Sequence, residues 1–195
     1  MQTLKLPKKV LELLALSGFS IFLLTKNASL IRDIDLFKRF NQRIKVGFTI
    51  VTPSDELRKK VEPNSSPIQE RIAVLKQLHE AGLHTMVSLE PLLPNVTIED
   101  YLQFVAEIDP YVKSYEPVGK LSTNIPLEFI NIEEWRGIET GRYDTHYVEL
   151  FKVLLPKLGT KYRIAEHSRA FLEKHGITYL DKQIKLSSSC EFNPF

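Results

Sequence analysis

The stretch RIAVLKQLHEAGLHTMVSLEPLLP, from Arg71 to Pro94, constrains the fold of this chain more than any other. It joins an amphipathic helix, a glycine stop, a largely apolar strand and a carboxylate at the strand's end, which together make one αβ unit of a parallel sheet. Ser66 is placed to cap the helix, Pro67 suits its first position, and Gln69 falls where a capping box takes Glu or Gln. Ile68, Ile72, Leu75 and Leu78 recur at helical spacing and predict a buried face. Past Gly82, the strand His84 to Glu90 alternates Met86, Ser88 and Glu90 on one face with Thr85, Val87 and Leu89 on the other. Small or charged side chains inside, near the C-terminal end of an otherwise apolar strand, suit a barrel with a polar mouth.

The same rhythm runs through the first 120 residues. A helix over about Lys5 to Leu16 carries Leu6, Val10, Leu13 and Leu14, and leads into FSIFLLT, Phe19 to Thr25. That run is so apolar that both of its faces are expected to be covered. Lys26 and Asn27 stand at its end. A second helix, about Leu30 to Phe40, presents Ile31, Ile34, Phe37 and Phe40 inward and leaves Asp33 to solvent. The next strand, about Ile44 to Val51, puts Gly47 and Thr49 on the interior side. A short charged helix, DELRKK, precedes the turn Glu62-Pro63-Asn64. After Pro94, Thr97 caps a helix to about Ile108, and a fourth strand, about Tyr111 to Val118, delivers Gly119 and Lys120 to its end. Strands alternating with helices predict right-handed crossovers and a parallel sheet, open or barrel-like.

Beyond Leu121 the pattern changes. Ser122 to Gly141 is irregular and holds the single tryptophan, Trp135; helices are expected over about 143–158 and 164–175, and Asp181 to Phe195 is polar. A closed barrel needs about eight βα units and roughly 250 residues, whereas four strands are legible in these 195 residues. Phe19 to Thr25 would then be a bare sheet edge unless the C-terminal helices cover it or an N-terminal piece is missing.

Composition excludes several classes. A formal charge of +2 gives no support for a nucleic-acid or membrane surface beyond a local patch. There is no apolar run of transmembrane length and no signal peptide, which makes the cytoplasm the expected compartment. Cys190 is the one cysteine, so the chain makes no internal disulfide and no cysteine-ligated cluster by itself. The five histidines show no metal-ligand spacing, and no metal site is expected.

The succession LTKN at Leu24, RDIDL at Arg32, VGFTIVT at Val46, DELRKKVEPNSSPIQERI at Asp55 and LHEAGLHTMVSLEPLLP at Leu78 resembles the radical S-adenosylmethionine superfamily, and most of all its DNA repair photolyase branch, related to spore photoproduct lyase. The resemblance covers about Leu6 to Leu121. It implies an α/β fold, a partial TIM-like (βα) barrel of parallel strands shortened at its N-terminus. Residues 1–121 would form that barrel, 122–181 a C-terminal helical extension and 182–195 a polar tail. It further implies S-adenosylmethionine across the strand ends and a four-iron four-sulfur cluster held by Cys-x-x-x-Cys-x-x-Cys. The chain departs from the family here, because it lacks that motif. Its lyase- or oxidoreductase-type chemistry is therefore not expected of this polypeptide alone, and a missing N-terminal segment or a partner subunit would have to bring the ligands.

What carries over is the co-substrate wall. By the resemblance, Lys26 pairs with the carboxylate of S-adenosylmethionine and Thr49 meets its amino acid or ribose part. Ser88 and Glu90 border the nucleoside, within reach of a ribose hydroxyl or the ammonium. Each also has a plainer reading. Lys26 can be a solvated strand-end lysine, Thr49 an ordinary strand former, and Glu90 an ion-pair partner of Lys26, Lys120 or Arg71. Glu62 reads as surface charge or a helix-end contact with Arg58, Lys59 or Lys60. The family name points to DNA while the charge balance does not, and the substrate stays open. Two rival classes accompany this reading: a non-catalytic α/β binding or partner module that keeps the barrel wall, and a cluster-free barrel enzyme using Glu90 as a base, which requires a raised carboxylate pKa.

Overall fold

The structure, a computed structural model, describes residues 6–120 and 141–179. Five strands form one parallel sheet in the order β1-β2-β3-β4-β5: β1 Ile21–Thr25, β2 Ile44–Thr49, β3 His84–Leu92, β4 Ser114–Lys120 and β5 Tyr162–Ile164. Helices α1 Leu6–Leu16, α2 Ile34–Arg39, α3 Asp55–Val61, α4 Ile68–Glu80, α5 Ile98–Ile108, α6 Asp144–Leu158 and α7 Glu166–Lys174 alternate with them. The four expected strands run side by side in one direction. The fifth comes from the stretch read as purely helical, since the helix expected over 164–175 begins only at Glu166, after Tyr162–Ile164 has paired with β4. Only three residues long, β5 offers no alternation for a sequence pattern to show. The expectations for residues 122–140, including Trp135, and for the polar tail with Cys190 fall outside the described residues.

Packing is strongly one-sided. Val46, Phe48, Val87, Leu89, Tyr115 and Ile164 meet the inward residues of the helices, among them Phe37, Leu75, Leu78, Phe104, Leu154 and Leu172, in one continuous core. Three buried hydroxyls bind strand ends into it. The Tyr101 hydroxyl donates to the Val51 carbonyl (2.9 Å) and accepts from the Leu93 amide (2.6 Å), while the Tyr147 hydroxyl donates to the Leu92 carbonyl (2.9 Å). Thr85 donates to the Tyr111 carbonyl (2.6 Å), fixing the chain that enters β4. At Gly47 the backbones of β2 and β3 lie so close that a Cβ would collide with the Met86 carbonyl.

Some local expectations are corrected. Ser66 does not cap α4: its hydroxyl accepts from the Ala28 amide (2.9 Å), and the free amide of Ile68 is satisfied by Asp55 (3.1 Å). Thr97 does cap α5, accepting from the Asp100 amide at 3.1 Å. The helix expected over Leu30 to Phe40 is a 3-10 segment, Ala28–Asp33, followed by α2, and Asp33 is buried, meeting Lys8 (3.6 Å) and Arg32 (3.4 Å). On α1 the inward residues are Leu11 and Ala15, while Val10, Leu13 and Leu14 are exposed. The two-sided cover expected for β1 also fails. β1 is an edge strand, paired with β2, and Phe19 and Phe22 are 55% and 45% exposed.

Asp55 staples α3 to the start of α4. It accepts from Arg58 through both oxygens (2.7 and 3.2 Å) as well as from Ile68, and these bonds hold its carboxyl at about 2, below the ordinary 3.8. A carboxyl depressed on folding contributes stability above its unfolded pKa, and that contribution is lost as pH falls from about 4 toward about 2. Acid titration of unfolding should show a shallower loss over that window in Asp55→Asn than in the parent, and parallel curves would exclude the staple.

Candidate functional site

The strands' C-terminal ends carry two polar clusters, one above β1 and β2 and the other above β3 and β4. In the first, the Arg71 guanidinium is fully buried and donates to four oxygens: the Thr49 carbonyl (2.8 Å), the Ser66 carbonyl (2.8 Å), Ser65 Oγ (2.7 Å) and Glu62 Oε2 (3.1 Å). Burial pushes its pKa down and Glu62 pushes it back up. Glu62 is itself buried, and its second oxygen, Oε1, lies 2.9 Å from Lys26 Nζ. That oxygen has no partner in hydrogen-bonding geometry, so the lysine meets it through charge alone. Two cations thus surround one carboxylate, and Lys26, half exposed at the rim, carries the excess. The Ser66 amide donates to the Lys26 carbonyl (2.9 Å), which fixes the lysine's backbone on the same turn.

The second cluster centres on Glu90. Its Oε1 lies 3.2 Å from Nδ1 of His167 at the start of α7, and the opposite ring nitrogen, Nε2, hydrogen-bonds the Lys120 carbonyl at 2.9 Å. The Ser168 hydroxyl accepts from the Lys120 amide (3.0 Å), so α7 grips the end of β4 at two adjacent residues. Desolvation raises the Glu90 pKa, with His167 and Arg163 opposing. A half-buried carboxylate of this kind holds its proton to higher pH than an exposed one, which is the condition for a general acid or base. The Lys120 ammonium lies over the rings of Phe171 (5.2 Å) and Tyr147 (5.7 Å), and burial lowers its pKa.

Between the clusters, Thr49 and Ser88 stand opposite each other in the β2–β3 register, on the face that also carries Gly47 and Met86. The structure places Lys26 just past the end of β1, Thr49 at the end of β2, Ser88 beside Thr49 in the middle of β3, and Glu90 in the C-terminal half of β3. Lys26 and Glu90 belong to β1's end and to β3, with β2 between them. Each faces its own partner, and a cavity on the sheet face turned away from the core helices lies at the opposite, N-terminal end of the strands, lined by residues such as Phe22, Lys45 and His84.

Two partners escaped the sequence reading. Glu62 makes the expected helix-end contact with Arg58, its amide donating to the Arg58 carbonyl (2.7 Å), but it is buried rather than surface charge and its carboxylate meets Arg71 and Lys26; Glu90 meets neither Lys26, Lys120 nor Arg71 but His167. The nine residues from Glu62 to Arg71 cross a turn and a helix start, and the 77 from Glu90 to His167 span two crossovers; neither spacing has a local signature.

An all-parallel α/β sheet with its polar residues at the strand tips defines the class of this protein, and comparison with known sequences narrows it. The profile of the Radical SAM superfamily matches residues 3–108, more than half of the chain, and the chain belongs to that superfamily. An uncharacterized protein of Methanocaldococcus jannaschii is 31% identical over 145 residues, which are 74% of this chain and 50% of that protein. Uncharacterized proteins of Mycobacterium bovis and Mycobacterium tuberculosis are 31% identical over 90 residues, 45% of this chain and 26% of theirs. The chain thus spans half the length, or less, of these curated relatives.

The superfamily implies S-adenosylmethionine and a four-iron four-sulfur cluster. The residues present do not fit the cluster: three thiolates are required, and the sequence holds one cysteine. Among the described residues no group of three or more His, Cys, Asp or Glu side chains could hold a metal ion. No helix among them is long and apolar enough to cross a membrane.

Proposed function

We propose that this chain is the C-terminal barrel wall of a radical S-adenosylmethionine enzyme of the DNA repair photolyase-like branch, and that it contacts the co-substrate while ligands for the iron–sulfur cluster come from another segment or a partner subunit. The observation that supports this reading is that Lys26, Thr49 and Glu90, with Ser88 beside Thr49, fall on or toward the C-terminal side of three consecutive parallel strands of a superfamily member. Ligands of open parallel sheets bind beyond the strands' carboxyl ends. Lys26, the excess cation over Glu62, takes a carboxylate. Thr49 and Ser88 offer hydroxyls along the wall between, and Glu90 accepts from a ribose hydroxyl or an ammonium. The substrate beyond the co-substrate stays unassigned.

Titration calorimetry of the chain with S-adenosylmethionine tests this. Weak binding is expected, reduced about tenfold in Lys26→Ala by loss of one charge-assisted hydrogen bond. Equal affinity in both proteins would remove Lys26 from the site. After anaerobic reconstitution with iron and sulfide the chain should stay colourless, and a stoichiometric cluster would overturn the division of labour.

One observation favours a second reading, a non-catalytic α/β binding or partner module. Lys26 and Glu90 are already engaged, with Glu62 and His167, as members of a purely structural rim would be. Absence of any S-adenosylmethionine binding in the presence of the remaining family segment would select it.

A further inference from the structure

The sheet face turned away from the core helices carries a cavity of about 650 Å³ at the N-terminal ends of the strands. At His84 its wall lies six residues down β3 from Glu90, about 20 Å along the strand, while the charge of Arg163 on the same wall reaches Glu90 and opposes the rise that burial gives that carboxyl's pKa. The volume is that of an ordinary small-ligand pocket. Among the described residues its wall is strongly unbalanced in charge: Arg43, Lys45, Lys113 and Arg163 line it against one carboxylate, Glu116. Glu116 is shared between Lys45 Nζ (3.5 Å) and Arg163 Nε (3.9 Å), both long for an ion pair, so neither cation is closely neutralised. Arg43 turns its guanidinium to the Gly18 carbonyl, an uncharged partner. The surplus of cations in this one cavity is at least as large as the formal excess of the whole chain, +2.

A second feature sits on the same wall. By register Phe22, Lys45 and His84 form one row across β1, β2 and β3. Phe22 keeps 45% of its surface exposed although it lines the cavity, which leaves a ring face beside the cations. His84 shares a hydrogen bond with the Ser114 hydroxyl (3.1 Å). Burial lowers its pKa, with Lys45 adding to that effect, Glu116 opposing it and Lys113 contributing least.

We infer that this cavity is a binding site for a small phosphorylated ligand carrying a flat ring, the chemistry of a nucleoside monophosphate, with the phosphate held by Lys45, Lys113 and Arg163 and the ring laid on Phe22. Lysine and arginine take phosphate oxygens through charge-assisted bonds, and an aromatic face stacks a base with little regard to its identity. Its lining includes none of the residues proposed to meet S-adenosylmethionine, although Arg163 lies within electrostatic reach of Glu90, and it stands whether or not that reading holds.

Calorimetry of the full chain with adenosine 5′-monophosphate, inorganic phosphate and adenosine tests the inference. Saturable binding of the monophosphate is expected, with phosphate weaker and adenosine weaker still, and with a steep loss at high salt. Lys45→Gln/Lys113→Gln should weaken the monophosphate at least tenfold and Phe22→Leu severalfold, each with an unchanged melting temperature, whereas Lys26→Ala should leave it alone. NMR titration of the His84 ring should show its pKa rising when the monophosphate is bound, because an anion then offsets the two lysines. The inference is overturned by the absence of monophosphate binding, by affinity indifferent to Lys45 and Lys113, or by sensitivity to Lys26. Phosphate binding as tightly as the monophosphate, or a single-stranded oligonucleotide binding where the monophosphate does not, would overturn it too.

Discussion

Arg71→Met should cost about 3–5 kcal/mol in urea-induced unfolding, the toll of removing one partner from a buried ion pair. The substitution roughly keeps the volume, so a cavity is not the reason. Glu62 would lose its hydrogen-bonded counter-charge and keep Lys26, which meets it at the rim and outside hydrogen-bonding geometry, together with the field of Arg58. The Thr49 and Ser66 carbonyls would lose their guanidinium donor as well. The double change Arg71→Met/Glu62→Leu separates the two contributions. It should recover part of the loss, since no charge is then stranded, but not all of it, since the two carbonyls still lack Arg71. A single variant as stable as the parent would mean that the cluster is solvated, contrary to the burial of both side chains.

Gly47→Ala should be comparably damaging for a different reason. In most strands this exchange is neutral or mildly stabilising. Here the new methyl would point at the Met86 carbonyl of the neighbouring strand, and backbone cannot swing aside as a flexible side chain can. Relief requires β2 and β3 to part where they pair in register, Gly47 to Met86, at the centre of the sheet. Overpacking of this kind costs about 1–3 kcal/mol and often more. Because the strand tips with Thr49 and Ser88 lie two residues further on, ligand affinity at that end should fall together with the melting temperature. An alanine variant that melts with the parent would show that the strands separate freely.

Legibility in the sequence followed the range of the interaction. The αβ alternation through Lys120 could be read because helix and strand periods are local, as with Ile68, Ile72, Leu75 and Leu78 on α4 or Val46, Phe48, Val87 and Leu89 beneath the helices. The strand order needed no more than the rule that successive parallel strands neighbour one another. β5 was hidden by its brevity, and the exposure of Phe22 by the fact that an apolar edge strand reads like a central one. At the strand tips the residue types were legible, but their partners were not. Ser66 looked like a helix cap until Ala28, 38 positions earlier, proved to claim its hydroxyl. Glu62 looked like one more charge in a charged helix until Arg71 and Lys26 closed over it from the next helix and from the end of β1. Such pairings depend on how whole units stack, which no window of neighbouring residues encodes.

The succession β1-β2-β3-β4-β5, in which each strand lies beside the one before it in the chain, also bears on how the molecule comes into being. No strand has to wait for a distant segment to slot between two others, so each new unit finds its docking surface already made as it leaves the ribosome. Growth by accretion limits each closure to a single crossover, so that no pairing spans more than the unit between one strand and the next. It also gives the half-built sheet the same kind of open flank at each step, so that an intermediate and the finished chain differ in length more than in kind.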